Sequence, residues 1–495
     1  MNPARWPVRG QLLLAFLAGA LAVLGFAPFG LGLAALASLT LLFFLWRHPA
    51  RPGLNVWTGY AFGLGLMGFG VSWIRISIAQ FGGVPPALAA LITLLFVLFM
   101  ALYFALAGWL GERLRKGADG LWLVAVLPAV WVLVEWLRGW LFTGFPWLSL
   151  GYSQIDLPLA GYGPLLGVFG VSLVLAVSAG LLNLWPRLAG ALVLLALWAG
   201  GLGLKQLQWS QPAGEPIRVS LLQANIPQMD KWQRVNRVPT LNLYLDLTAS
   251  VPDSRIVIWP ETAVPARDTE VESIFLSPLD GLLREQGRDV LLGIVADGAG
   301  GDDYYNAMLS LGVSGRDRYH KRHLVPFGEY LPFDDWTRPL LDFLEIPMSD
   351  FSRGGNGKPL VTLAGHPVGI DICYEDAYGD EIIRALPEAA LLINASNDAW
   401  FGDSLAPHQH LEIARMRAVE TARYMLRATN TGISAIIDQH GVLRGTSPQF
   451  EKAVLSDDVV PLRGTTPFAY WGNIAVVVLA GLMLLFAWWR RRQVV

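Results

Sequence analysis

The chain has a single cysteine in 495 residues, Cys373. A lone cysteine excludes an internal disulfide and any metal site of the Cys-x-x-Cys kind. If the part that carries it faces an oxidising compartment, the thiol also has no partner within its own chain. Charge is scarce too: 15% of residues are charged and the net charge is −2, which leaves no basic footprint for nucleic acid. Charges are sparse up to Leu204, frequent from Lys205 to Arg463, and absent again until Arg490 to Arg492. What fills the gap is apolar. With 54% hydrophobic residues and 20 Trp, the composition is that of an integral membrane chain rather than of one soluble globule.

A spanning helix needs about 20 mostly apolar residues, because the hydrocarbon core offers no water to backbone groups. Such stretches run over 10–27, 29–46, 56–76, 86–110, 121–142, 163–185 and 187–204, with an eighth over 469–489. Pro28, Pro49, Pro52, Pro85 and Pro86 fall in the breaks. The expected organisation is a seven-helix transmembrane domain over 1–204, a water-soluble domain over 205–468, and a final transmembrane helix with its tail over 469–495. With eight spans, Arg5, Arg9, Arg47, Arg51, Arg113, Arg115, Lys116, Arg187 and Arg490 to Arg492 share one side. The positive-inside rule then makes both termini cytoplasmic and puts the soluble domain outside; were the membrane a bacterial inner one, that side would be the periplasm. Read as a signal peptide instead, the first stretch delivers the chain outward all the same.

Two features of the apolar part carry alternatives. Glu135 and Arg138 stand i to i+3, so they can pair on one helix face, as bundle glue or in contact with substrate. Phe145, Trp147 and Tyr152, in the loop Thr143 to Tyr152, read as an aromatic belt at headgroup depth, or as the lining of a lipid entrance.

From Ile217 onward short apolar runs appear at 219–224, 255–259, 290–295, 307–311, 368–373, 390–395 and 432–438, with helix-length segments at 238–250, 272–286 and 410–427. Alternating strands and helices predict an α/β layered domain whose chemistry gathers at strand ends. Three residues stand there. Cys373 ends the run Val368 to Ile372 and reads either as a small buried hydrophobe or as a rigidly held nucleophile. Glu261 follows Trp259-Pro260, as a solvated turn residue or a proton acceptor. Lys321, in Y-H-K-R-H, is a surface cation or an electrostatic partner. Together they make a coherent acyl-transfer set: a carboxylate to take the thiol proton, and an ammonium plus the Tyr374 N–H to stabilise a tetrahedral oxyanion.

The order W-P-E, K-x-x-L-V-P-F-G-E, D-I-C-Y-E resembles the carbon-nitrogen hydrolase, or nitrilase, superfamily. Joined to the membrane part, to L-G-F-A-P-F at Leu24 to Phe29, N-I-P-Q-x-x-K-W at Asn225 to Trp232 and S-N-D-A-W-F-G at Ser396 to Gly402, it is similar to the apolipoprotein N-acyltransferase family. The resemblance implies a multi-helix membrane bundle plus a nitrilase-like αββα sandwich. It implies Glu261 as general base, Lys321 as oxyanion stabiliser and Cys373 as nucleophile. Glu329 would be an accessory glutamate, Tyr374 and Glu375 the residues beside the nucleophile, Trp232 a substrate-handling tryptophan, and Asn306 a further accessory group. The implied reaction moves a fatty acyl chain from a phospholipid, phosphatidylethanolamine, through a Cys373 thioester to the N-terminal amine of a diacylglyceryl-cysteine lipoprotein. No cofactor or metal is called for.

Helical spacing of Trp336, Leu340, Phe343 and Leu344 within Pro332 to Phe351 gives one apolar face, which either packs on the domain core or dips into the outer leaflet as a lid. Competing readings are a metal enzyme built on His320, His323, His408 and His410, a transporter, and a membrane-tethered amidase acting on a small amide. For the histidines, hydrogen bonding, capping or exposure fits better than ligation.

Overall fold

The computed structural model describes residues 6–115, 119–298, 300, 303–335, 338 and 350–492. The expected apolar face of Trp336, Leu340, Phe343 and Leu344 lies outside the described residues. The chain forms two compact units, one of residues 1–75, 86–207 and 470–495, the other of 76–85 and 208–469.

Every apolar stretch of the first unit is helical: Val8–Val23, Gly32–Arg47, Leu54–Gly70, Pro86–Arg113, Asp119–Arg138, Pro158–Leu182, Leu188–Lys205 and Ile474–Arg492. Pro86–Arg113, Asp119–Arg138, Pro158–Leu182 and Leu188–Lys205 are long and apolar enough to cross a membrane, and Val8–Val23, Gly32–Arg47 and Ile474–Arg490 are shorter apolar helices. Leu188–Lys205 leaves Leu188, Leu192, Leu195 and Leu202 exposed, a surface suited to lipid and not to water. The helices touch through small residues. A Cβ on Gly19 would lie 2.0 Å from the Phe62 carbonyl oxygen and one on Gly65 2.1 Å from that of Phe16, so these two glycines let their helices approach backbone to backbone.

Glu135 and Arg138 are both buried and hold a loop. Arg138 Nη1 donates to the carbonyls of Phe145 at 2.6 Å and Trp147 at 2.5 Å, and the Leu150 N–H donates to Glu135 Oε1 at 2.9 Å. The same loop corrects the aromatic-belt expectation: Trp147 and Tyr152 are each 1% exposed, packed inside the unit rather than displayed at its surface.

In chain order the strands of the second unit are β1 (Ser210–Pro212), β2 (Ile217–Gln223), β3 (Ile256–Ile258), β4 (Val264–Arg267), β5 (Asp289–Asp297), β6 (Tyr304–Gly312), β7 (Arg318–His320), β8 (Leu360–Leu363), β9 (His366–Ile372), β10 (Leu391–Ser396), β11 (Met425–Thr429), β12 (Ala435–Ile437), β13 (Leu443–Thr446), β14 (Ala453–Val459) and β15 (Leu462–Gly464). One sheet has the order β14-β2-β3-β5-β6-β7, with β4 beside β5, and the other β13-β12-β11-β10-β9-β8. β2, β3 and β5 are mutually parallel, as are β9, β10 and β11. Val219, Leu221, Ile256 and Ile258 of the first sheet share a core with Ile370, Ile372, Ile393 and Leu426 of the second, so the sheets pack face to face. The outer face of the first is covered by helices Arg234–Ala249 and Ser277–Glu285, and that of the second by helix Ala406–Thr421. The result is an α-β-β-α stack.

One expected element is wrong. The helix expected over 410–427 stops at Thr421, where Ala422 turns left-handed at φ +50°, and Met425–Thr429 is the strand β11. A charged Arg427 inside a fully buried strand hides the apolar run that would have announced it.

Candidate active site

β3 ends at Ile258, Pro260 stops the ladder, and Glu261 follows on a turn that lies directly on β5. The approach is close: a Cβ on Gly293 would sit 2.3 Å from both the Pro260 oxygen and the Thr262 nitrogen. Glu261 is 6% exposed, and its Oε1 accepts from Asn306 Nδ2 at 2.7 Å and Lys321 Nζ at 3.3 Å. The same two donors serve a second carboxylate, with Glu329 Oε1 2.9 Å from Lys321 Nζ and 3.1 Å from Asn306 Nδ2. Asn306 comes from β6 and Lys321 directly follows β7, and the Lys321 N–H donates to the Asn306 carbonyl at 2.8 Å. Burial works against the Lys321 charge, but Glu261, Glu329, Cys373 and Glu375 outweigh it and hold its pKa well above that of an ordinary lysine.

Cys373 lies at the carboxyl end of β9, in the parallel core of the second sheet. Its φ is +55°, a left-handed turn that non-glycine residues seldom adopt and that functional sites often hold in place. The main chain is gripped: the Cys373 carbonyl accepts from Asn394 Nδ2 at 3.1 Å and lies 3.2 Å from His410 Nε2. Burial, then the Glu261 charge, push the thiol pKa up, while Lys321 and a hydrogen bond with Ser396 pull the other way. The resting sulfur is therefore a thiol, and it becomes a nucleophile only when a neighbouring base takes its proton.

Glu375 does not face this cluster. Its Oε1 accepts from the Arg322 and His323 N–H groups at 2.7 and 3.0 Å, its Oε2 from the Ile372 N–H at 2.7 Å, and the Tyr319 hydroxyl donates to it at 2.9 Å. It thus ties the end of β9 to the segment that carries Lys321, across the two sheets. Burial is the main reason its pKa rises to about 7. Tyr374 packs edge-on against His323 and accepts a hydrogen bond from the Tyr378 hydroxyl at 2.9 Å. Trp232 is 50% exposed, while its neighbour Lys231 turns inward.

The structure thus brings Glu261, Asn306, Lys321 and Glu329 together by direct hydrogen bonds, and sets Cys373 within their electrostatic reach. Sequence reasoning missed the network beneath the nucleophile. His410, fully buried, has Asp398 Oδ1 at 3.0 Å on one ring nitrogen and Asp376 Oδ1 at 3.0 Å on the other. Arg427 completes it, 2.8 Å from Asp398 and 3.3 Å from Asp376. Burial and Arg427 oppose a charge on His410, yet the two aspartates raise its pKa to about 9. The sequence signals are the S-N-D-A-W-F-G motif that contains Asp398 and His410 itself, for which hydrogen bonding is the better reading than ligation. His320 and His323 stack on Tyr305 and Tyr378, and among the described residues no group of three or more His, Cys, Asp or Glu could hold a metal ion.

Residues 18–181 match the Apolipoprotein N-acyltransferase N-terminal domain, and residues 218–465 match the Carbon-nitrogen hydrolase family. Relatives named Apolipoprotein N-acyltransferase are similar along the whole length. That of Methylococcus capsulatus is 48% identical over 491 residues, 97% of this chain and 96% of its own. That of Nitrosomonas europaea is 45% identical over 480 residues, and that of Vibrio vulnificus 40% identical over 488, each alignment covering 96% of both chains. The alignments span the apolar helices and the two-sheet unit alike, and the chain belongs to the apolipoprotein N-acyltransferase family.

Proposed function

We propose that the protein is an acyltransferase that moves a fatty acyl chain from a phospholipid, through a thioester on Cys373, to the N-terminal amine of a diacylglyceryl-cysteine lipoprotein. The observation that carries this reading is a single buried cysteine at a left-handed strand end, in the field of a buried carboxylate that is paired with a buried ammonium. Glu261 takes the thiol proton, and the thiolate attacks the ester carbonyl of the phospholipid. The Lys321 ammonium and the Tyr374 N–H stabilise the oxyanion. Collapse breaks the ester C–O bond, and the lysophospholipid oxygen leaves with the proton that Glu261 held. In the second half the acceptor amine attacks the thioester, Glu261 takes its proton, and the thiolate leaves and is reprotonated. Asn306 and Glu329 hold Glu261 and Lys321 in register, Glu375 and Tyr374 support the nucleophile loop, and exposed Trp232 is placed to meet substrate.

In the same reading the eight apolar helices each span a bacterial inner membrane, over 1–204 and 469–495. The basic residues put both termini in the cytoplasm and the catalytic domain, 205–468, in the periplasm, with phosphatidylethanolamine as donor. A membrane-tethered amidase would use the same three residues but pass the acyl group to water. The full-length relatives of one name favour the amine acceptor.

The test is to incubate the purified protein with phosphatidylethanolamine and measure the mass of the peptide containing Cys373, then add a diacylated lipopeptide. Gain of one acyl mass, absent in Cys373→Ala, and its transfer to the lipopeptide amine are expected. Absence of the adduct in the wild type, or release as free fatty acid at an unchanged rate with the lipopeptide present, would overturn the reading.

A further inference from the structure

The turn that presents Glu261 runs through backbone that its own residues disfavour. Thr262 sits at φ +46°, in the left-handed region where a β-branched side chain is a true outlier. From below, the turn rests on Gly293. Its other support is Lys231, which is 2% exposed and whose Nζ donates to the Glu261 carbonyl at 3.1 Å and to Thr262 Oγ1 at 2.6 Å.

A buried ammonium is a costly way to fill space, and an apolar side chain of like volume usually does so at lower cost. Its partners here are a main-chain carbonyl and a hydroxyl, neither of which carries a compensating charge. The two buried lysines meet Glu261 differently: Lys321 bonds its carboxylate, Lys231 its main chain. Burial draws the pKa of Lys231 down to about 8, with the charge of Glu261 acting against the fall.

We propose that Lys231 is a positioning residue for the acyl transfer: it clamps the strained turn through the Glu261 carbonyl and the Thr262 hydroxyl, fixes where the Glu261 carboxylate meets the thiol, and adds a second positive charge beside that carboxylate. The inference deepens the proposed reaction and rests on Glu261 being the proton acceptor. It also carries a pH signature. A neutral amine still donates hydrogen bonds, so above about pH 8 the clamp persists while the charge is lost. Glu261 is the charged group that acts on Lys231, while Asp230 and Arg234, its charged neighbours in sequence, are solvent-exposed, and Lys321 and Glu329 bear on the Glu261 cluster.

The experiment uses full-length protein in detergent micelles with phosphatidylethanolamine, and follows single-turnover acylation of Cys373 by intact mass from pH 6 to 9.5. Lys231→Met is expected to lower the maximal acylation rate about 100-fold at an unchanged half-saturating phospholipid concentration, since small misplacement of a reacting group costs that much. Thr262→Val, which keeps the branched shape and removes one partner, should lower it about 5-fold. The wild-type rate should change above pH 8, where the Lys231 charge is lost, a limb missing from Lys231→Met. Acylation by Lys231→Met at the wild-type rate, a loss confined to phospholipid affinity, or an alkaline limb retained in that variant would each overturn the inference. Should Lys231→Met fail to fold, a wild-type rate in Thr262→Val overturns it instead. Glu261→Gln separates the two levels: normal acylation there defeats the reading of Glu261 itself, whereas an inactive Glu261→Gln beside a fully active Lys231→Met defeats only the role of Lys231.

Discussion

At the ends of β3 and β7, the first sheet holds its functional side chains by letting them meet one another. Glu261, Asn306, Lys321 and Glu329 share donors and charge at 2.7 to 3.3 Å. At the end of β9, in the second sheet, the partners reach past the side chain and grip the main chain of Cys373, through Asn394 and a His410 that is itself pinned by Asp376 and Asp398. The difference follows from the chemistry each part must do. A proton acceptor and an oxyanion partner need a set charge, which opposite charges supply. A nucleophile needs a set direction, and its sulfur must be able to form and break a bond, so the grip falls mainly on its backbone, with Ser396 bonding the thiol.

That contrast is sharpest in variants that change one property and spare the other. The largest expected effect is on turnover: Glu261→Gln keeps the shape of the cluster and removes the base, so acylation of Cys373 should fall about 1000-fold while thermal stability stays within about 1 kcal/mol of wild type. Equal losses of turnover and stability would break the division between the sheets. Lys321→Met comes next. It leaves two buried carboxylates without their cation, so acylation should fall about 100-fold and stability by about 3–5 kcal/mol, measured by mass adduct and by denaturation in detergent. On the second sheet Arg427→Met strips the cation from Asp376 and Asp398. It should also cost about 3–5 kcal/mol, and any fraction that stays folded should bind phospholipid as the wild type does while its thiol titrates higher, since Arg427 and Asp398 both act on the Cys373 charge.

The same contrast explains what was legible in the sequence. The seven expected strand runs all contain or overlap an observed strand, because each is a short apolar burst bounded by turn residues. The eight apolar stretches are helical because continuous apolarity over that length has few other solutions. Glu261, Lys321 and Cys373 stood out because each sits one to three residues beyond a strand, where a polar residue interrupts the apolar pattern. The support of Cys373 was not legible. His410, Asp376, Asp398 and Arg427 are charged residues in wholly buried positions, contributed by an α-helix, two short 3-10 turns and a strand. A linear sequence does not show that four such residues converge, and Arg427 even misled the reading of its own strand as helix. Trp147 and Tyr152 misled in the opposite way, since an aromatic near a span end looks the same whether it faces lipid or the protein interior.

The smallest expected effect concerns the charge of His410, and it tests whether the second sheet uses charge for structure alone. With a pKa near 9 in the fold against 6.5 for a free histidine, His410 is protonated in the native state and neutral in the unfolded chain over the interval between. The native state then binds the extra proton, so this contribution is whole below pH 6.5 and is lost as pH rises through 9. Its size is at most about 3 kcal/mol. Thermal unfolding in detergent should therefore show the wild type losing stability from pH 6.5 to 9, and His410→Gln, which retains a donor but no titrating ring, should be flatter over that range. Parallel slopes would mean that Asp376 and Asp398 are satisfied by Arg427 without a charged imidazole. In that case the carbonyl of Cys373 is held by a neutral ring, and the second sheet fixes the direction of the nucleophile with hydrogen bonds that do not depend on pH.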